Sequence, residues 1–320
     1  MPASSQTKSA QPSCRFRHGV LALPDPFRLE SGADIERAQL TWQCAGPEGA
    51  PLVVVLGGIS AHARCCSADG GGWWESQCGD GRALDTNRFQ LLGVDWLGGA
   101  AASSAANGVD ISAADQARAL LLLVNRLGRR RVHLLVGASY GGCVAQHLAV
   151  LLGARLRHLV LLCSAHRSSA FALALRHVQR AILDLGGDSA AALALARELA
   201  ILGYVTAAEI ESRFLDVDAV VPWLEHHGGK FAARFSADAY RCLGRSLDTH
   251  RIDPATIRMP TILFGVRDDV LVPPQLLHEF AAHAACCEHV EISSIHGHDA
   301  FLKETDAVGA VLRMALEESP

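Results

Sequence analysis

The segment Gly137–Gly142, with the sequence GASYGG, fits the pattern G-x-S-x-G around Ser139. A mostly aliphatic run, Val132–Val136, precedes it, and a helical pattern follows from Gly141. In that context the serine occupies a tight strand-to-helix turn, which requires small residues two positions before and after it. The turn places the hydroxyl at a helix N-terminus, where the helix dipole favours developing negative charge. The segment therefore predicts that Ser139 is a nucleophile for acyl groups.

A serine nucleophile of this kind needs an acid and a histidine base, which follow it in that order along the chain. Two aspartates, Asp268 and Asp269, lie just past the apolar run Thr261–Phe264, and two histidines, His296 and His298, lie near the C-terminal end. One member of each pair is expected to be catalytic and the other to be solvated or structural. A metal site at His296-x-His298 is not expected, because no third ligand stands at a suitable spacing.

Acyl transfer also requires N–H donors for the oxyanion of the tetrahedral intermediate. The backbone N–H of Tyr140, directly after the nucleophile, is the first expected donor. The second is expected from the loop Gly57–Ala61, which has the sequence GGISA and follows the apolar run Leu52–Leu56. We expect the N–H of Ile59 in this role, with the N–H of Gly58 as the alternative.

Short apolar runs alternate with helical patterns along most of the chain, which is typical of a mostly parallel sheet flanked by helices. Asp115–Leu127 is predicted to be a helix, because its apolar residues recur at the spacing of one helical face. Further helix is predicted from Gly141 onward. The predicted strands are 52–56, 89–94, 132–136, 159–163, 261–264 and 289–292.

The alternation breaks between residues 167 and 253, where the pattern is almost wholly helical and rich in Ala, Leu and Arg. A helical insertion between two strands forms a cap over the carboxyl ends of the strands, where open α/β sheets bind ligands. We therefore predict an α/β core formed by residues 16–166 and 254–320, a helical cap at 167–253 and a disordered tail at 1–15.

Composition excludes several classes of function. The net charge of the 320 residues is −4 and no run of lysine or arginine dominates, which argues against a nucleic-acid partner. No apolar run approaches the roughly 18 residues of a membrane span. The ten cysteines are scattered without CxxC spacing, and no apolar leader precedes them. We therefore expect reduced thiols, a cytoplasmic location and no zinc site.

Five stretches make the chain resemble the homoserine O-acyltransferases of the α/β-hydrolase superfamily, over residues 52–302. They are the GWW…GRALDT segment at 72–86, the strand end at 95–99, the serine turn at 137–142, the helix 193–197 with Tyr204, and GHDAFL at 297–302. The chain departs from many members in three respects, since GGIS replaces their A-L-T-G loop, Tyr140 stands where acetyltransferases often have Met, and the cap is short. In these respects it looks most like members described as homoserine O-succinyltransferases.

The resemblance implies a role for individual residues. The family histidine lies inside G-H-D, which implies His298, and the family acid precedes x-(L/F)-x-P, which implies Asp269. The aspartate after the histidine holds the amino group of the acceptor in that family, which implies Asp299. An arginine in a V-Q-R-x-(A/I) pattern holds the acceptor's carboxylate, which implies Arg180.

The resemblance further implies a ping-pong transfer of a succinyl group from succinyl-CoA, through an acyl-enzyme on Ser139, to the hydroxyl of L-homoserine. This reaction belongs to methionine biosynthesis and requires no bound cofactor or metal. Acetyl-CoA as donor, or L-serine as acceptor, remains open. An esterase or thioesterase also remains open, because the fold and the serine turn fit both reactions.

Two further expectations concern the whole protein. A catalytically inactive scaffold of this fold would lack a member of the triad, whereas this chain has a candidate for each. Family members often pair through cap helices, and the apolar Ala/Leu pattern at 189–201 fits that arrangement. We therefore expect a homodimer that acts on small molecules.

Overall fold

The computed structural model describes residues 16–317, so the predicted tail at 1–15 lies outside the described residues. At its centre is an eight-stranded sheet. In chain order its strands are β1 (Phe16–Ala22), β2 (Gln39–Ala45), β3 (Leu52–Leu56), β4 (Gln90–Val94), β5 (Val132–Ala138), β6 (Leu156–Leu162), β7 (Thr261–Val266) and β8 (Cys287–Ile292). In space they lie in the order β1-β2-β4-β3-β5-β6-β7-β8.

Strands β3 to β8 are parallel, as predicted, and the two N-terminal strands add an antiparallel edge. Every residue of β3, β4 and β7 is buried, which explains why these strands are continuous apolar runs rather than alternating patterns. All six predicted strands are present, with ends that differ by up to three residues. Strands β1 and β2 were not predicted. For β1 the reason is that it is a half-exposed edge strand with little apolar pattern.

Ten α-helices are present in residues 16–317. They are α1 (Ala113–Arg126), α2 (Tyr140–Leu152), α3 (Ala170–Leu185), α4 (Ala190–Tyr204), α5 (Ala207–Arg213), α6 (Val220–Ala232), α7 (Ala237–Thr249), α8 (Pro274–His283), α9 (Ala300–Lys303) and α10 (Thr305–Glu317). The predicted helices at 115–127 and from 141 onward correspond to α1 and α2.

Two hydrophobic clusters cover the two faces of the sheet. Because successive side chains of a strand point to opposite faces, Val54 and Leu56 enter one cluster, whereas Val53 and Val55 enter the other. Residues of α1, α2 and α8 belong to the first cluster, and residues of α10 belong to the second. This packing fixes the sheet, and with it the turns at the carboxyl ends of its strands.

Helices α3 to α7 all lie between β6 and β7, in the stretch where the cap was expected. Four of them begin at a Ser or Thr whose hydroxyl accepts a backbone N–H of the first turn, the residues being Ser169, Ser189, Thr206 and Ser236. A small core of their own, which includes Leu183, Leu193, Phe231 and Tyr240, holds the helices together. We call this unit, together with its two connecting segments, the cap.

The segments that enter and leave the cap pair with each other. Arg167 and Arg251 form an isolated antiparallel bridge, and the N–H of Ile252 donates to the carbonyl of His166 over 3.0 Å. The chain therefore enters and leaves the cap through one narrow, paired neck.

Between residues 16 and 317, no single helix is both long and apolar enough to cross a membrane, and only the bent pair α4 and α5 together meets those criteria of length and composition. The nine cysteines within the same range are free thiols, and seven of them are buried.

Candidate active site

Ser139 lies between the end of β5 and the start of α2, in a strained turn. Its backbone has φ 52° and ψ −119°, a conformation that residues with a side chain rarely adopt. Tight packing enforces it. A Cβ on Gly141 would lie 2.2 Å from the carbonyl oxygen of Leu56, and one on Gly137 would lie 2.5 Å from the carbonyl oxygen of Gly141. Both glycines of the motif are thus required by close backbone contact.

A continuous chain of hydrogen bonds joins Ser139, His298 and Asp269. The hydroxyl of Ser139 donates to Nε2 of His298 over 2.8 Å, and Nδ1–H of His298 donates to Oδ2 of Asp269 over 2.7 Å. The three residues come from the ends of β5 and β7 and from the short turn before α9. This arrangement allows the histidine to remove the serine proton while the carboxylate orients the ring.

The geometry separates the members of each ambiguous pair. Asp269 is buried, and its Oδ1 accepts the backbone N–H groups of Leu271 and Val272, each over 2.9 Å, whereas Asp268 is exposed. His296 points instead to Glu209, with its Nδ1 2.9 Å from a carboxylate oxygen. His298 therefore faces the serine and Asp269 faces His298, whereas Asp268 and His296 take no part in this chain of hydrogen bonds.

Electrostatics favours the charged form of His298. Burial acts to lower the pKa of His298, but the nearby charge of Asp269 and its hydrogen bond outweigh burial, so that the pKa is raised above its ordinary value. A base in this environment is stabilised in the imidazolium form that it adopts after accepting the serine proton.

The loop after β3 is tied to the serine turn. The N–H of Gly141 donates to the carbonyl of Gly57 over 2.8 Å, and the carbonyl of Gly58 accepts Nε1–H of Trp96 over 3.0 Å. Because the C=O and N–H of a trans peptide point in opposite directions, the N–H of Ile59 points away from Trp96. Within residues 16–317, the N–H groups of Ile59 and Tyr140 donate to no backbone carbonyl.

A cavity of about 240 Å³ opens above Ser139 and is lined by residues of both the sheet and the cap. The predicted residues Ser139, His298, Ile59, Arg180 and Asp299 all line it. Tyr140 does not line it with its side chain. Instead its ring is fully buried, and its hydroxyl bonds to Ser246 of α7 over 2.9 Å. The residue after the nucleophile thus connects the serine turn to the cap.

The predicted binding residues Arg180 and Asp299 differ in their partners. Nη1 of Arg180 lies 2.6 Å from Oδ2 of Asp248, so a carboxylate of the protein already faces this guanidinium. Asp299 is half-buried, and its carboxylate has no hydrogen bond or ion pair to any residue in the range 16–317. Burial raises the pKa of Asp299, whereas the charges of His298, Lys303 and Arg197 oppose that rise.

Arg197 was not predicted as a site residue, although the helix that carries it was part of the family resemblance. It lines the cavity together with Tyr204, whose ring lies 5.0 Å from its guanidinium carbon. Nη1 of Arg197 donates to the Tyr204 hydroxyl over 3.3 Å, and no carboxylate within the described part of the chain pairs with it. The signal that could have identified it was the seven-residue spacing of Arg197 and Tyr204 on one helix, which places both on nearly the same face.

One group of side chains outside the cavity has donors suited to a metal. His278, His289 and Glu291 each offer a ligand atom within 4.8 Å of the others, on α8 and β8 at the edge of the sheet. Glu291 also pairs with Arg267, and His278 is largely exposed. This group is separate from the residues around Ser139.

Comparison with known proteins gives four informative matches. The family model described as the alpha/beta hydrolase fold matches residues 51–305. A homoserine O-succinyltransferase of Xanthomonas campestris is 38% identical over 314 residues, which cover 93% of this chain and 83% of that protein. A homoserine O-acetyltransferase of Thermus thermophilus is 32% identical, over 75% of this chain and 71% of its own length. The crystal structure of a homoserine O-acetyltransferase from Staphylococcus aureus superposes with a TM-score of 0.87 at 26% identity, over 96% of this chain and 97% of that one.

Proposed function

The chain belongs to the homoserine O-acyltransferase family of the α/β-hydrolase fold, and on that premise we propose that it transfers a succinyl group from succinyl-CoA to the hydroxyl of L-homoserine. The predicted fold class is confirmed by the family match and by the superposition. The succinyl donor is favoured over acetyl because the relative at 38% identity is a succinyltransferase, whereas the relative at 32% is an acetyltransferase.

One observation carries the assignment to a transferase rather than a hydrolase. The cavity that contains Ser139 also presents a cation, Arg197, and a carboxylate, Asp299, neither of which has an ion-pair partner within residues 16–317. A free amino acid is a zwitterion, so its carboxylate is complementary to Arg197 and its ammonium group is complementary to Asp299. A simple esterase has no need of such a pair, since water is its second substrate.

In the first half-reaction His298 takes the proton of Ser139, and Oγ attacks the thioester carbonyl carbon of succinyl-CoA. The C–S bond breaks as the tetrahedral intermediate collapses, and the CoA thiolate leaves with the proton that His298 returns. The N–H groups of Ile59 and Tyr140 hold the oxyanion, and removal of one such donor costs about 3 kcal/mol in other enzymes. Asp269 stabilises the imidazolium in each transition state.

In the second half-reaction the hydroxyl of homoserine attacks the succinyl ester on Ser139. His298 removes the hydroxyl proton and then returns it to Oγ of Ser139, so that O-succinylhomoserine leaves and the free enzyme is restored. Water is far more concentrated than homoserine, so the acceptor must be held in position if it is to react with the ester on Ser139 faster than water does. Arg197 and Asp299 supply that advantage by holding the carboxylate and the ammonium group.

Arg197 fits the carboxylate-binding role better than Arg180. The guanidinium of Arg180 already faces Asp248, whereas that of Arg197 contacts only aromatic rings and the Tyr204 hydroxyl. An arginine without a carboxylate partner is the better site for an incoming carboxylate.

The experiment that tests the function follows thiol release from succinyl-CoA with and without L-homoserine. Release that depends on homoserine and yields one O-succinylhomoserine per thiol is the expected result. Release at the same rate without homoserine would identify a thioesterase instead. Repeating the assay with acetyl-CoA and with L-serine ranks the two donors and the two acceptors.

We further propose that the protein acts in the cytoplasm, in methionine biosynthesis, as a homodimer. The free thiols and the metabolites involved support that location. The cap helix α4 exposes the apolar side chains Leu195 and Leu202, and α6 exposes Val221, which would be covered in a cap-to-cap dimer. Light scattering coupled to size exclusion measures the mass in solution, and a monomer across micromolar concentrations contradicts the dimer.

A further inference from the structure

Two arginines of α3, Arg176 and Arg180, share a single carboxylate at the wall of the cavity. Nε of Arg176 donates to Oδ1 of Asp248 over 2.6 Å, and Nη1 of Arg180 lies 2.6 Å from Oδ2 of the same residue. The side chains are largely buried, being 13%, 20% and 13% exposed for Arg176, Arg180 and Asp248. Among the residues that the structure describes, the two positive charges and one negative charge of this group leave one positive charge in excess. A buried cation of this kind is costly unless an anion approaches it.

Arg176 keeps hydrogen-bonding capacity after its contacts within the protein are made. Its Nε–H donates to Asp248, and one Nη2–H donates to the hydroxyl of Ser168 over 2.6 Å. A guanidinium has five N–H donors, so three remain for a ligand. Asp248 and Ser168 also hold the group in one orientation, and an arginine already oriented loses less entropy when it binds.

Arg176 stands near the reacting serine. It lines the same cavity as Ser139. Its positive charge acts to lower the pKa of both His298 and Cys143, although other effects raise the pKa of each group overall. His298 bonds to Ser139, and Cys143 lies one turn further along α2. An acyl group attached to Ser139 would therefore extend into the cavity that the guanidinium of Arg176 lines.

We propose that Arg176 binds the free carboxylate of a dicarboxylic acyl group, the succinyl group, when that group is carried on Ser139. The inference rests on the proposed acyltransferase function and adds the residue that selects the donor. The charges of the cavity agree with it. Arg197 and Asp299 together match the zwitterionic acceptor, and the one excess positive charge of the Arg176–Asp248–Arg180 group matches the single negative charge of the acyl chain.

The test compares Arg176→Gln with the unaltered protein, using succinyl-CoA and acetyl-CoA as donors and homoserine as acceptor. We expect kcat/KM for succinyl-CoA to fall by about 10- to 100-fold, as for loss of a charged hydrogen bond, and kcat/KM for acetyl-CoA to change less than threefold. Arg241→Gln is the matched control. Arg241 is also a cap arginine paired with aspartates and is 18% exposed, but it is not among the residues that line the cavity.

The outcomes separate the inference from the proposed function. If the unaltered protein transfers no acyl group to homoserine, the function itself is wrong. If it does transfer, and Arg176→Gln lowers the rate equally with both donors, then Arg176 serves the CoA portion or the fold, and the donor inference is wrong.

A second measurement needs no variant and remains decisive if Arg176→Gln fails to fold. Butyryl-CoA carries a four-carbon acyl group without the terminal charge. We expect the unaltered protein to use it at least tenfold less efficiently than succinyl-CoA, as judged by kcat/KM. Equal use of the two donors would overturn the inference, because a cation that binds the terminal carboxylate must distinguish them.

Discussion

The backbone at Ser139 is held in a conformation that favours glycine, so the position of the nucleophile lowers the free energy of unfolding. With φ at 52° and ψ at −119°, the backbone conformation of any residue other than glycine carries a strain energy of about 1 kcal/mol or more. We expect Ser139→Gly to be more stable to urea than Ser139→Ala by about 1 kcal/mol. Both variants should lose acyl transfer almost completely, by at least four orders of magnitude, because both lack the hydroxyl. An equal or lower stability of the glycine variant would contradict the strain.

The pH dependence of activity follows from the raised pKa of His298. The histidine must be neutral to remove the serine proton, so activity falls as the pH drops through its pKa. Because Asp269 raises that pKa above the ordinary value of 6.5, the acid limb of kcat/KM should lie above pH 6.5. Asp269→Asn should move this limb to lower pH and reduce kcat by about three to four orders of magnitude. Asp268→Asn is the matched control, and a comparable loss there would reverse the assignment of the acid.

Binding of the acceptor distinguishes two arginines of the cap. Arg197→Gln should raise KM for homoserine by about 10- to 100-fold, because a charge-assisted hydrogen bond to the carboxylate is lost. Initial rates at varied homoserine concentration measure this. Arg180→Gln should raise the same KM much less, since Asp248 already faces Arg180. The reverse order of the two effects would restore Arg180 as the binding residue.

At the scale of single residues, the sequence predicted the positions that obey a backbone motif better than those that depend on partners. Ser139 follows from the glycines around it, because the turn itself requires them. The choice of Asp269 over Asp268 came from a family pattern, and only the structure shows that one is buried and the other exposed. Arg180 was predicted from a pattern that cannot reveal Asp248, which lies 68 positions further along the chain and forms ion pairs with both Arg180 and Arg176.

At the scale of elements, the junction of β3, β5 and α2 depends on the absence of one side chain. Gly141→Ala would place a Cβ 2.2 Å from the carbonyl oxygen of Leu56. We expect a loss of roughly 2 kcal/mol or more in the free energy of unfolding, together with a strong loss of activity. Gly229→Ala is the control, because nothing lies within 4 Å of a Cβ at that exposed helical position. It should leave activity unchanged and stabilise the protein by about 0.5–1 kcal/mol in thermal or urea denaturation.

The elements that were predicted are those with a strong local signal. Buried parallel strands are continuous apolar runs, so strands β3 to β8 could be located from the sequence within a few residues. Strand β1 could not, because its residues are half-exposed and its pairing with β2 is set by contacts such as that of Gly19 beneath Trp42. Edge strands depend on the neighbouring strand rather than on their own pattern.

At the scale of the whole molecule, the cap is anchored directly to the turn that carries the catalytic histidine. Glu209 of α5 accepts from Lys303 over 2.5 Å and lies 2.9 Å from Nδ1 of His296, while its side chain is only 4% exposed. Thr206 adds a hydrogen bond from its hydroxyl to the carbonyl of Ile295 over 2.5 Å. The cap and the histidine turn are therefore held as one unit.

We expect Glu209→Gln to lower the free energy of unfolding at pH 7 by about 2 kcal/mol, because Lys303 loses the buried carboxylate with which it pairs. Glu211→Gln, an exposed change on the same helix, should stay within about 0.5 kcal/mol. Burial acts to raise the pKa of Glu209, but the bonds to Lys303 and His296 outweigh it, so the pKa is lowered. The contribution is thus present above pH 4.5 and lost as the pH falls through the lowered pKa. Urea denaturation at pH 7 and below pH 4 checks this, and a difference that grows on acidification would contradict it.

The paired neck of the cap has a consequence for the evolution of such proteins. Because the chain enters at His166 and Arg167 and leaves beside them at Arg251 and Ile252, the whole unit has adjacent ends, the geometry in which an inserted segment is tolerated by its host. The cations that we propose to bind the two substrates lie within this unit, whereas Ser139, His298 and Asp269 lie outside it. Recombination of one contiguous stretch is therefore expected to change the substrates that are bound while the three hydrogen-bonded residues stay in place.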